Sequence, residues 1–77
     1  MTKTYKLSRG INEEQAEEIK KEVEGIKEVV SMEFSEDRKM LKIEADEAVY
    51  GDVMNKAVNI CRRLAGGCEL SYSFVSF

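Results

Sequence analysis

The apolar residues of this chain change period repeatedly, and that alternation limits the folds open to it. Tyr5 and Leu7 alternate with Lys6 and Ser8, a period of two that predicts a short strand over about residues 2–9. Beyond Gly10, the residues Ala16, Ile19, Val23 and Ile26 recur at spacings of 3, 4 and 3, which is one face of a helix. The period returns to two at Val30, Met32 and Phe34, set against Ser31, Glu33 and Ser35, so a second strand with one buried face is predicted. After the polar turn Ser-Glu-Asp-Arg-Lys, Leu41, Ile43 and Ala45 alternate with Lys42 and Glu44 in a third strand, close enough to the second to form a hairpin. Helical spacing follows. Val49, Val53, Ala57, Ile60 and Leu64 are separated by 4, 4, 3 and 4, with Met54, Val58 and Cys61 widening the stripe. Leu70, Tyr72 and Phe74 then alternate with serines in a fourth strand. The last four residues, Phe-Val-Ser-Phe, are apolar on both faces and either extend that strand or fray.

The boundaries carry their own chemistry. Asn12 is a favoured helix N-cap, and Gln15 stands three positions on, as in a capping box. Glu13, Glu14 and Glu17 lie in or near the first turn, where the helix dipole favours negative charge. Gly25 is expected as the residue after that helix, ending it at about 24. Asp46 is placed to cap the second helix, Arg62 and Arg63 suit its C-terminal end, and Gly66-Gly67 stops it. The resulting order is β-α-β-β-α-β in one domain, residues 1–77. Crossovers through helices and a central hairpin give a four-stranded antiparallel sheet with two helices on one face, an α+β fold of the ferredoxin-like kind. That fold hosts many unrelated functions.

Composition removes several of them. Twelve basic and fifteen acidic residues leave a net charge of −3, which argues against nucleic acid as a partner. No apolar run approaches the roughly 20 residues of a membrane span, so no direct membrane insertion is expected. The first ten residues lack the apolar core of a secretion signal, and a cytoplasmic location is expected. The chain has no histidine, the usual general base and commonest neutral metal ligand. No nucleophile stands beside a base and no glycine loop suits a phosphate. A non-catalytic role is expected.

Four stretches together resemble a known family. They are Thr2–Leu7 (TKTYKL), Glu24–Phe34 (EGIKEVVSMEF), Lys39–Glu47 (KMLKIEADE) and Ala57–Leu70 (AVNICRRLAGGCEL). The chain resembles heavy-metal-associated domains over most of its length, and in particular the N-terminal domain of bacterial cadmium- and zinc-transporting P-type ATPases. That family holds a soft ion with two cysteines separated by two residues, after the first strand and at the start of the first helix. Counting back four residues from Ile19 sets those positions at Asn12 and Gln15, and no cysteine occurs before Cys61. The resemblance therefore implies a domain without its family's metal site and with no resident cofactor. It would serve as an interaction or regulatory module, free-standing or at the front of a transporter. Its partner would be a transporter domain or another domain of the same kind, docked on the acidic surface of Glu13, Glu14, Glu17 and Glu18.

Cys61 and Cys68 are the only soft ligands. Three readings stand: inert packing thiols, a reversible disulfide, or a relocated soft-metal site for zinc, cadmium or copper(I), with Glu69 the one near candidate for a further ligand. Asn12, Glu13, Glu14 and Glu17 offer hard oxygen ligands of the kind that suits calcium or magnesium, but acids on successive helical positions diverge. Arg62-Arg63 is explained by its helix end without a bound anion. Tyr72, Phe74 and Phe77 are expected in the core, or on an apolar strand edge that pairs with another chain as a homodimer. A base-stacking role for them lacks the basic surface that RNA recognition needs.

Overall fold

Each alternating stretch becomes a strand, the fourth ending at Ser73 just before Phe74, and each stripe a helix. The computed structural model describes residues 1–75 and 77. Ser76, within the terminus expected to extend the last strand or fray, lies outside them. The elements are β1 (Thr2–Leu7), α1 (Glu13–Glu24), β2 (Val29–Phe34), β3 (Met40–Ala45), a 3-10 turn (Glu47–Val49), α2 (Tyr50–Leu64) and β4 (Leu70–Ser73). The strands form one antiparallel sheet in the order β2-β3-β1-β4, as the ferredoxin-like arrangement requires. No helix among the described residues is long and apolar enough to cross a membrane.

The register assigns the faces. Tyr5 stands opposite Leu41 and Tyr72, and Met32 opposite Ile43. Leu41, Ile43 and Met32 are withdrawn from water, together with Ile19 and Val23 of α1 and Val53, Ala57 and Cys61 of α2. The helices thus cover the face that Tyr5, Leu7, Leu41, Ile43 and Ala45 share. Thr4, Lys6, Lys42 and Glu44 take the open face, where Lys42 pairs with Glu33 at 3.5 Å. Phe77 also reaches this face, where Lys42 Nζ donates to its main-chain oxygen at 3.2 Å.

Three sequence expectations change here. The buried face of β2 was to start at Val30, but Val30 is 69% exposed. The β2–β3 register shifts between Val29 and Ser31, and this bulge turns Val30 outward while Val29 takes the inner place. Asp46 caps the 3-10 turn, its carboxylate accepting from Ala48 N at 2.9 Å, so α2 proper starts later, at Tyr50. The stripe also differs at its ends. Its buried line is Tyr50, Val53, Ala57 and Cys61, while Val49, Ile60 and Leu64 are only partly covered. Gly25 closes α1 with φ −74, in the ordinary helical region, so its role there is not a left-handed turn.

The bulge makes neighbouring residues respond differently. Met32→Ala is expected to destabilise by about 2–4 kcal/mol, as for a fully buried methionine. Val30→Ala is expected to change stability by less than about 0.5 kcal/mol. Urea unfolding of the two variants checks the bulge directly.

Candidate functional site

One end of the molecule brings together the β1–α1 loop and the α2–β4 loop. The second loop is shaped by how α2 stops. Gly66 and Gly67 take φ +56 and +89, and Gly67 N donates to Arg62 O at 2.8 Å, the left-handed helix ending that glycine permits. The two loops are then tied. Ser8 N donates to Glu69 O at 2.9 Å, Glu69 N to Ser8 Oγ at 2.8 Å, and the Arg9 guanidinium to Gly66 O. Ile11 is buried beneath them.

Asn12 and Gln15, at the positions implied for the family's ligands, form the expected capping box. Gln15 N donates to Asn12 Oδ1 at 2.7 Å, and Asn12 N donates back to Gln15 Oε1 at 3.0 Å. Gln15 Nε2 also reaches Leu64 O, at 3.5 Å. That last link was not legible in the sequence, because it depends on where α2 ends in space. One amide side chain therefore bonds the start of α1 and reaches an otherwise open carbonyl at the end of α2.

The four acids are all exposed, and among the described residues none of them has a salt-bridge partner. They do not share one direction. Glu13 and Glu17, with Lys20, Phe34, Glu36 and Arg38, border an open cleft of about 340 Å³ between α1 and the β2–β3 turn. Glu14 and Glu18 are rotated from them by about 100°. The cleft mixes both charge signs, and no group of three or more metal-binding side chains occurs among the described residues.

Cys61 and Cys68 are both free and both fully buried. Cys61 was expected beside the buried stripe of α2 and instead lies in it. Burial, with Cys68 nearby, pushes its thiol up to about 12 from an ordinary 9.0, so it is neutral at physiological pH. Cys68 Sγ lies 4.0 Å from Arg9 O and 3.8 Å from Glu69 O. Glu69, the possible further ligand, is turned outward into a two-bond pair with Arg62, at 3.0 and 2.9 Å. The pair holds the Glu69 carboxyl below its usual range. Arg63 likewise pairs with Glu22 of α1. Both arginines thus have intramolecular carboxylate partners, and the two thiols have the surroundings of packing groups.

No family model matches the chain, and no curated protein or solved structure matches it significantly.

Two measurements follow. Asn12→Ala is expected to cost about 1 kcal/mol, and the double variant with Gln15→Ala to cost less than the two single losses combined, because each breaks the same reciprocal pair. Urea unfolding of the four proteins gives the coupling. For Cys61, the unfolded chain ionises near 9.0 and the folded chain near 12, so its stabilisation is full below pH 9 and is lost as pH rises through that window. Stability is expected to fall above about pH 9 with a slope approaching ~1.4 kcal/mol per pH unit from this group. Cys61→Ala should remove that part of the slope.

Proposed function

We propose that the protein is a non-catalytic interaction module, related to the heavy-metal-associated domains of cation-transporting ATPases, whose ligand loop has become a structural cap. The observation that carries this reading is the capping box at Asn12 and Gln15, with Gln15 also reaching Leu64 O. A ligand loop needs side chains free to turn toward an ion. These two are engaged with main-chain groups of the same loop and of α2. A soft-metal site at Cys61 and Cys68 is the weaker reading, since both sulfurs are buried and Glu69 faces away with Arg62.

What is left for a partner on this side is the exposed acids of α1, spread over more than one face of the helix. Glu13, Glu14, Glu17 and Glu18 are exposed and unpaired among the described residues, which suits a basic protein surface, such as a transporter domain or another domain of this fold. Contacts of this kind would weaken with added salt. Two buried free thiols suit a reducing compartment such as the cytoplasm.

The test is a titration of the reduced, ¹⁵N-labelled protein with Zn²⁺, Cd²⁺ and Cu⁺, run beside the variant carrying both Asn12→Cys and Gln15→Cys. The wild type is expected to give no saturable amide shifts. The double variant is expected to gain saturable Cd²⁺ binding, with shifts confined to the β1–α1 loop and a thiolate-to-metal absorption band. Saturable shifts in the wild type at Asn12–Glu17 or around Cys61 and Cys68 would contradict the loss of the site. A double variant that binds nothing would contradict the correspondence with the family's loop.

A further inference from the structure

The sheet has two edges, and they are built differently. Edge strands expose unpaired main-chain groups and usually carry devices that stop other strands from adding. The β2 edge has three such devices. The bulge at Val30 disrupts it, Glu33 places a charge on it, and the Glu24 carboxylate accepts from Met32 N at 3.4 Å. The β4 edge has none of these. No residue from 70 to 77 has a charged side chain, in a chain that is 35% charged, the stretch has no proline, and the β1–β4 ladder over Leu70–Ser73 has no bulge.

The phase of the ladder says which groups of β4 are free. Ser8 N bonds Glu69 O, so Glu69, Ser71 and Ser73 turn their main-chain groups toward β1. Leu70 and Tyr72 therefore turn theirs outward. The side-chain hydrogen bonds beside β4 end on Glu69 and Val75 instead. The outer surface is apolar. Tyr72 is 54% exposed and Phe74 94% exposed, and their rings meet edge to face at 5.1 Å. Tyr72 also meets Tyr5 edge to face at 5.9 Å, so the aromatic pair is anchored on the sheet.

We infer that β4 is the interface of a symmetric homodimer, in which two copies of the strand pair antiparallel about a two-fold axis through Tyr72. The partner is a second copy because the strand is complementary to itself. With Tyr72 opposite Tyr72 of the other copy, Ser71 meets Ser73, and Leu70 meets Phe74, the residue that directly follows β4. Apolar residues then face apolar residues on the helix side of the sheet, serine faces serine on the open side, and no like charges meet. The pairing joins two four-stranded sheets into one of eight strands.

The area fits a reversible dimer. Tyr72 and Phe74 hold roughly 300 Å² of exposed ring surface per copy. Two copies with their strand backbones bury roughly 1,000 Å², the lower end for a specific interface. A micromolar dissociation constant is the expected scale. The inference uses no residue of the cap or of the α1 acids, so it stands or falls apart from the preceding reading.

Sedimentation equilibrium of the whole chain tests it. The mass should rise with concentration from 8.8 kDa toward twice that value and go no further. Phe74→Asp should weaken association by at least about 100-fold, since two rings leave the interface together, while Phe74→Leu should weaken it by less than about 10-fold. Circular dichroism should show both variants folded, because Phe74 is almost wholly exposed. Hydrogen exchange at the Leu70 and Tyr72 amides should slow as concentration rises, while exchange at Ser71 stays constant. A mass fixed at 8.8 kDa up to about 1 mM, assembly beyond a dimer, an affinity unmoved by Phe74→Asp, or Tyr72 protection independent of concentration would each overturn it.

Discussion

The contact of α1 with α2 over β3 carries the rest of the structure. Ile19 and Val23 on one helix and Val53, Ala57 and Cys61 on the other lie in a single core with Leu41 and Ile43, and none is more than 1% exposed. Small residues at 57 and 61 keep this layer thin enough for both helices to reach the sheet. That packing sets where each helix begins and ends, and the ends decide what the loops do. Because α2 stops at Leu64, its last carbonyls lie beside the start of α1, within reach of Gln15. Because Gly66 and Gly67 reverse the chain at once, Cys68 is drawn into the core and Glu69 can pair with Ser8.

The outcome is a molecule with two unlike ends. At the loop end, hydrogen bonds link Ser8, Arg9, Asn12 and Gln15 to each other or to Leu64, Gly66 and Glu69. Main-chain groups that a flexible loop would leave to water or to a ligand are satisfied there by neighbours. At the other end, Lys3 stands over the rings of Tyr50 and Tyr72, and the aromatic row continues to Phe74 with little to cover it. The polar groups of one end are satisfied within the molecule, and the aromatic surface of the other is exposed.

Much of this was legible because the sequence repeats its signals locally. The β3 alternation Leu41-Ile43-Ala45 has one reading and is buried as read. Asn12 and Gln15 announce a capping box through their spacing alone, and the box forms with both bonds. What escaped depended on events one element away. Val29 and Val30 are adjacent apolar residues, so alternation cannot tell which points inward until the bulge is known. Tyr50, one turn before Val53, joined the core at the first position of α2, where its phenol donates to Ile43 O at 2.7 Å, a partner in another element. Tyr72 and Phe74 have the pattern of core residues, yet β4 is an edge strand and both stay exposed among the described residues.

The central claim is that the loop before α1 is a fixed structural cap and not a mobile ligand loop. Backbone ¹⁵N relaxation across Gly10–Ala16 tests it most directly. The account predicts order parameters from Ile11 to Gln15 close to those of α1, about 0.85. Values below about 0.6 over the same residues would mean that the cap opens freely, and would contradict the account.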